Sequence, residues 1–363
     1  MDLLGPSPAD AAILAALRKA FDDALGGALG GRREAVVLDA PNHRNAGDLL
    51  ILQGTLDSLQ RLGVRVRLLQ DREVTSWQTL RHLPTRVAVL LHGGGNLGGL
   101  YPVHDQYRCR VLETVPDTSR VVVLPQSVSF PDLESRDATR RRYGRFPEAA
   151  YFIRDTQSLG RLTEAVPEVA ASVHLVPDAA FGTTLSRGEP PSSDVLVLQR
   201  RDQESTGLDL ADRARDLEVR HTDWPSFDQE RPAFRALRRL TRLSAATEAR
   251  PSLRGRHPAT ARVIHRVCEG VLSVPQRHLL HRHTADHVHV IEETLGQGRI
   301  VVTDRLHAHV GAALMGIPSV ALDNVDGKVG ALIGDWTGSL STTHRAQSGA
   351  EAFGIARELL RQA

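Results

Sequence analysis

The chain has 363 residues, more than one hydrophobic core comfortably organises, so two domains are the expectation. Apolar residues at 41% and charged residues at 24% describe a globular chain and exclude a disordered, fibrous or membrane-embedded one. With 45 Lys plus Arg against 43 Asp plus Glu there is no bulk field, so a strongly charged partner must be met by a local patch.

The opening "MDLLGPSPADAAILAALRKAF" is acidic before it is apolar and lacks the basic start of a signal peptide. Ser7, Pro8 and Asp10 make a helix start, and Ile13, Leu17, Phe21 and Leu25 form one apolar stripe. No run reaches the ~18 uninterrupted apolar residues that span a bilayer, and a cytoplasmic location is expected. "EAVVLDA" (34–40) predicts a buried strand, and Leu49 to Leu62 has the 3.6-residue period of a helix. Further strands are expected at 64–69, 86–92, 120–126, 151–155 and 173–178, with helices or loops between. Continuous rather than alternating apolar strands imply a parallel sheet covered on both faces, hence a doubly wound α/β domain over residues 1–188.

"SRGEPPSSD" (186–194) predicts a linker, with two prolines, a glycine and three serines. "VLVLQRRD" (195–202) restarts the strand-first pattern, and a second doubly wound, Rossmann-like domain is expected over residues 194–345. "HVHVI" (287–291), "RIVVTD" (299–304) and "SVALDN" (319–324) are its further strand candidates. "EAFGIARELLRQ" predicts a closing helix within 346–363 that could pack on either domain.

Cys109 and Cys268 lie far apart with no CxxC spacing, which fits a reducing compartment and offers no thiolate metal site. His278, His281, His283, His287 and His289 follow no fixed zinc pattern, so no metal is expected. Twelve arginines crowd residues 231–282: Arg231, Arg235, Arg238, Arg239, Arg242, Arg250, Arg254, Arg256, Arg262, Arg266, Arg277 and Arg282. They make either a solvated helical face or a basic surface for an anionic membrane or polyanionic acceptor, worth ~1 kcal/mol per exposed basic residue at an anionic leaflet. Aromatic residues hardly interleave them, which argues against nucleic acid.

Three stretches carry chemistry. "RIVVTDRLHAH" (299–309) ends a buried strand at Thr303-Asp304 and puts Arg305, His307 and His309 where a helix begins, an anion site in outline. "PNHRNAGDLLI" (41–51) lies between the first strand and its helix, where an open α/β sheet keeps its ligand loop. There Gly47 permits a tight turn, and Asp48 either caps the helix or turns a carboxylate to the cleft. "LLHGGGNLGGLYP" (90–102) follows a buried strand, and Gly93, Gly94 and Gly95 let a ligand approach exposed backbone N–H groups, with His92 and Asn96 at the mouth. A lipase-type oxyanion loop also reads HGGG, but the chain holds no GxSxG elbow.

Taken in order, Asn45, Gly47 and Asp48, then His92 to Asn96, "LPQS" (124–127), "IRDTQS" (153–158), "LQRRDQE" (198–204) and "TDRLHAHVGAALMGIPSVALDNVDGK" (303–328) resemble the polysaccharide pyruvyl transferase family. The resemblance extends from about residue 35 to 338, and its closing block, ending in Gly327-Lys328, is the most specific part. It implies a GT-B-like pair of domains with the active site in the cleft between them. It also implies transfer of the pyruvyl unit of phosphoenolpyruvate onto two hydroxyls of one sugar as a ketal, with no cofactor. The implied donor-binding residues are Arg154, Arg305, Leu306 and His307, with His307 the acid/base; Asp48 is a second catalytic candidate. Asn45, His92, Gly93, Gly94, Gly95, Asn96 and Lys328 are then expected on the acceptor side of the cleft. The acceptor is a sugar or lipid-linked oligosaccharide, with peripheral membrane contact through 231–282 as a further candidate.

The residues support this donor by their own chemistry. Phosphoenolpyruvate puts a phosphate and a carboxylate on one small frame, which calls for bidentate cations and backbone donors. Arg305 and the Leu306 N–H offer both, and Arg154 and Arg200 end strands of the two expected domains. Proton transfer to carbon and from hydroxyls suits an imidazole. The competing readings are a nucleotide-sugar glycosyltransferase and a non-catalytic glycan-binding module on the same fold.

Overall fold

The computed structural model describes residues 5–41, 45–200, 216–224, 273–323 and 325–362. Most of the arginine-rich stretch and Cys268 therefore lie outside the described residues.

Helix α1 (Pro8–Leu29) starts at Ser7, whose side chain accepts the Asp10 N–H, and ends at Gly30 in the left-handed conformation. Then follow β1 (Glu34–Leu38), α2 (Ala46–Arg61), β2 (Arg65–Gln70), α3 (Trp77–Arg81), β3 (Val87–Leu91) and β4 (Gly94–Leu97). Next come α4 (Pro102–Thr114), β5 (Arg120–Val128), α5 (Leu133–Tyr143), β6 (Ala150–Ile153), α6 (Thr156–Ala165) and β7 (Val173–Leu175). These strands form one parallel sheet in the order β2-β1-β3-β5-β6-β7, with β4 also paired to β5.

Alternate residues of the central strands β1, β3, β5 and β6 feed opposite cores, which is what makes those strands continuously apolar. Ala35 and Val37 of β1 face a cluster with α1 and α2, while Val36 and Leu38 face a second cluster with Tyr107, Val111, Tyr143 and Leu162.

The second parallel sheet runs β12-β11-β10-β8-β9. Its strands are β8 (Ser193–Leu198), β9 (Val219–Thr222), β10 (Gly298–Thr303), β11 (Ser319–Leu322) and β12 (Thr343–Ala346). Among the described residues the α-helices of this half are α7 (Ser273–Gly296), α8 (Leu306–Leu314), α9 (Lys328–Leu332) and α10 (Gly349–Gln362). Strand β8 begins inside the expected linker, and Arg187 of that linker is buried, donating to the Gly298 carbonyl. The closing helix α10 packs on the second sheet, through Ala352, Phe353 and Ala356 against Val195, Val302 and Leu322.

"HVHVI" is a correction: it belongs to α7 rather than to a strand. Leu280, Thr284, His287, Ile291 and Leu295 are buried at three- and four-residue intervals, so the period is helical but two of the buried residues are polar. The short apolar alternation around Val288 and Val290 reads falsely as a strand.

One apolar cluster joins the two halves, from Leu50 and Ile51 of α2 to Val310 and Ala313 of α8 and Ile291 and Leu295 of α7. Close approaches at glycines tighten it: a Cβ on Gly54 of α2 would fall 1.9 Å from the Ala179 carbonyl oxygen. Buried Asp10 of α1 takes both the N–H and the hydroxyl of Ser341, at 2.9 and 2.6 Å, tying the first helix to the second half.

Candidate active site

Residues at or beyond the carboxyl ends of both sheets' strands line one cleft of about 360 Å³. Asn45, Gly47, Asp48, Gly95, Asn96, Tyr101, His104 and Arg154 come from the first half. Arg200, Trp224, Arg305, Leu306, His307 and Lys328 come from the second.

Asn45 is the N-cap of α2, its Oδ1 accepting the Gly47 N–H at 3.1 Å. Asp48 is therefore not the cap; it sits three residues into the helix, lines the cleft and accepts from Asn45 Nδ2 at 3.0 Å. Gly47 has a steric reason as well, because a Cβ there would meet His307 Nδ1 at 2.5 Å. Only a residue without a side chain lets α2 and the start of α8 approach this closely.

Arg154 follows β6 and is 3% exposed. It donates to Asp178 Oδ2 at 2.7 Å and to Ser127 Oγ at 2.8 Å. His307 Nε2 stands 3.4 Å from the same Asp178 oxygen, so one buried carboxylate joins a first-half arginine to a second-half histidine. Burial pushes the Asp178 carboxyl up, but Arg154, His307 and the Ala180 N–H outweigh it and hold the group well below the usual carboxylate range.

Arg305 is the N-cap of α8, which puts the Leu306 and His307 amides in the helix's first turn. Its guanidinium pairs with Asp223 at 2.7 Å, just after β9. Arg200, after β8, gives its backbone N–H to Asp304 Oδ1 at 2.8 Å, and burial raises the Asp304 carboxyl above its ordinary value. Lys328 is buried, pairs with Asp326 at 2.7 Å, and stands beside Arg154 over Gly95, whose hypothetical Cβ would lie 3.5 Å from Lys328 Nζ and 3.3 Å from Arg154 Nη2. His309 points away into the core, between Ser319 Oγ and Thr337 Oγ1, each at 2.8 Å, and burial lowers its pKa to about 4.

The glycine loop is placed differently from expectation. The chain re-enters the first sheet at Gly94 as β4, so His92, Gly93 and Gly94 do not line the cleft, whereas Gly95 and Asn96 do. A Cβ on Gly93 would lie 2.8 Å from the Pro125 carbonyl oxygen, and His92 is buried with its own carbonyl accepting from Arg108 and Gln126. Those glycines serve strand packing and cation approach.

Sequence reasoning missed Asp178, Asp223, Trp224, Tyr101 and the His104–Asp39 pair. His104 Nδ1 lies 3.0 Å from both Asp39 oxygens, and Arg108 pairs with Asp39 at 3.0 Å. Among the described residues Asp39 is the one non-glycine with positive φ, 59°. Burial raises its carboxyl, but Arg108 and His104 prevail and hold it low. Asp39 directly follows β1 in "VVLD" and Asp178 lies just past β7 in "HLVPD", positions the sequence shows without showing their partners.

Comparison with known proteins gives a consistent picture. The family model for polysaccharide pyruvyl transferase matches residues 45–327. Pyruvyl transferase 1 of Schizosaccharomyces pombe is 26% identical over 311 residues, covering 81% of this chain and 67% of that protein. EpsO of Bacillus subtilis, assigned as a pyruvyl transferase, is 24% identical over 315 residues, covering 86% and 88%. An uncharacterized protein of Klebsiella pneumoniae shares the fold at a TM-score of 0.56 and 17% identity, over 92% of this chain and 99% of that one. The chain therefore belongs to the polysaccharide pyruvyl transferase family and is a transferase.

Proposed function

We propose that the protein transfers the pyruvyl group of phosphoenolpyruvate to two hydroxyls of one sugar, forming a ketal on a polysaccharide or its precursor and releasing phosphate. The carrying observation is the convergence of Arg154, Asp178 and His307 with the α8 N-terminus at the facing carboxyl edges. In this reading residues 1–188 and 194–345 form the two domains of a GT-B-like arrangement, with the reaction between them.

In this reading Arg305, Arg200 and the Leu306 N–H hold the phosphate, a helix N-terminus being suited to an anion. Arg154 and Lys328, adjacent over Gly95, take the carboxylate. His307 delivers a proton to the methylene carbon, which becomes the methyl group, and the first hydroxyl adds to the neighbouring carbon. Phosphate then departs with its bridging oxygen and the second hydroxyl adds in its place. The two hydroxyls lose two protons, one replacing that given to carbon and one leaving with phosphate. Asp178 orients the imidazole, while Asp48 and Asn45 face the acceptor with Tyr101, His104, Gly95 and Asn96. The reaction so written needs no cofactor.

No helix among the described residues is long and apolar enough to cross a membrane. Peripheral contact through 231–282 is a separate proposal, and salt-dependent co-sedimentation with anionic vesicles tests it.

The functional test incubates the protein with phosphoenolpyruvate and a panel of sugars. Phosphate release matched by a product heavier by one pyruvyl unit is the expected result. Release of nucleotide from a nucleotide sugar, or sugar binding without turnover, would instead favour a glycosyltransferase or a binding module.

A further inference from the structure

We infer that Trp336 and Asp335, which belong to the second half of the chain, position the donor arginine Arg154 of the first half. The inference rests on the phosphoenolpyruvate reading and adds to it a pair of residues outside the cleft lining.

Helix α9 runs without a break into a π-helical turn, Ile333–Thr337. π-Helical turns are rare and cluster at functional sites because the extra residue re-aims side chains. Here the turn sends two side chains to consecutive features of the first half. The Trp336 indole donates to the Arg154 carbonyl at 2.7 Å. Asp335 Oδ2 accepts the Thr156 N–H at 2.7 Å, and its Oδ1 accepts the Thr156 hydroxyl at 3.0 Å. Thr156 is the first residue of α6, so its amide has no partner within the helix, and a carboxylate there also meets the positive end of the dipole.

Arg154 is consequently held both by its backbone and by its side chain. Its N–H donates to the Gln126 carbonyl at 3.0 Å, its side chain is fixed by Ser127 and Asp178, and its carbonyl is held from the second half by Trp336. The turn is itself anchored to the other donor element. Thr337 is bonded to His309, two residues beyond His307 on α8, and the same helical segment begins at the cleft residue Lys328. A continuous set of contacts therefore runs from the α8 N-terminus, where Arg305 and His307 sit, through His309, Thr337 and Trp336 to Arg154. It sets the spacing between the donor groups of the two halves, so Trp336 and Asp335 are positioning residues.

Trp336→Phe keeps the ring and deletes only the N–H donor. The expected result is a KM for phosphoenolpyruvate raised roughly two- to tenfold, the range for one lost neutral hydrogen bond, with kcat and acceptor KM changed less than about twofold. Asp335→Asn should move donor KM in the same direction, and thermal melting of both variants checks that they fold. If Trp336 acts through Arg154, Trp336→Phe should have no further effect on donor affinity in an Arg154→Ala background, read by titration at high donor concentration. Unchanged donor KM in both single variants, or full additivity with Arg154→Ala, overturns the inference. A wild-type protein that binds no phosphoenolpyruvate in calorimetry overturns the donor reading itself; normal wild-type binding with unaltered variants overturns only the positioning role.

Discussion

The two carboxyl edges facing each other across the cleft handle charge differently. On the first sheet the cations are sealed in and share their acids: Arg154 at 3% side-chain exposure with Asp178 at 1%, and Arg108 at 0% with Asp39 at 1%. On the second sheet the cations meet acids in looser surroundings, Arg305 with Asp223 at 31% exposure and Lys328 with Asp326 at 23%. A sealed pair is costly to break because the remaining charge has no water to turn to, whereas a partly wet pair is weak. The first edge is therefore the more rigid of the two, and in the proposed reaction the second supplies cations that exchange a carboxylate for a ligand anion. His307 bridges them, carried by the second half and bonded to the acid of the first.

The strongest way to break this picture is at that bridge. His307→Ala should lower turnover by ~10²–10⁴, the usual loss of a general acid/base, while donor binding stays measurable. Near-normal turnover would move proton transfer to another group.

The first edge itself is tested by stability. Asp178→Asn leaves the buried Arg154 charge uncompensated and should cost ~3–5 kcal/mol in denaturant unfolding. Asp223→Asn, at the wetter edge, should cost no more than ~1 kcal/mol. Equal costs would erase the contrast between the edges.

Acidity separates the sealed groups further. His309 has a folded pKa near 4, below the 6.5 of an ordinary histidine, so the unfolded chain binds its proton first. Stability is then full above about pH 6.5 and falls between 6.5 and 4, by about 3 kcal/mol in all. Asp178, also depressed, contributes stability above its ordinary value near 3.8 and loses it only at more acid pH. His309→Gln, which can still bond Ser319 and Thr337, should flatten the pH 4–6.5 slope; an unchanged slope assigns it to other groups.

The smallest effect belongs to the exchangeable cation. Arg305→Lys keeps the charge but loses the planar fork, and donor affinity should fall by ~1–3 kcal/mol. Unchanged affinity by calorimetry would remove Arg305 from the donor site.

These contrasts also explain what was legible in the sequence. Strands β1, β3, β5, β8 and β10 announce themselves because both faces are buried, and short, valine-rich continuous apolar runs favour a strand over a buried helix. The basic cluster at 305–307 was readable because it follows such a run and opens a helix. Asp178 and Asp223 were not, since each is one carboxylate whose partner lies 24 or 82 positions away, and only strand order brings them together. His92 reads as a cleft residue because the glycines after it suggest an open loop, whereas the chain rejoins the sheet at Gly94 as β4; His309 has the same local signature as His307 but falls on the core side of α8.

The central claim, a donor site shared by both edges, is tested most directly by titrating phosphoenolpyruvate into the wild type, Arg154→Ala and Arg305→Ala in a calorimeter. The account predicts binding by the wild type and a loss of at least about tenfold in each variant, as for a charge-assisted hydrogen bond removed from either wall. Wild-type affinity in both variants would contradict it.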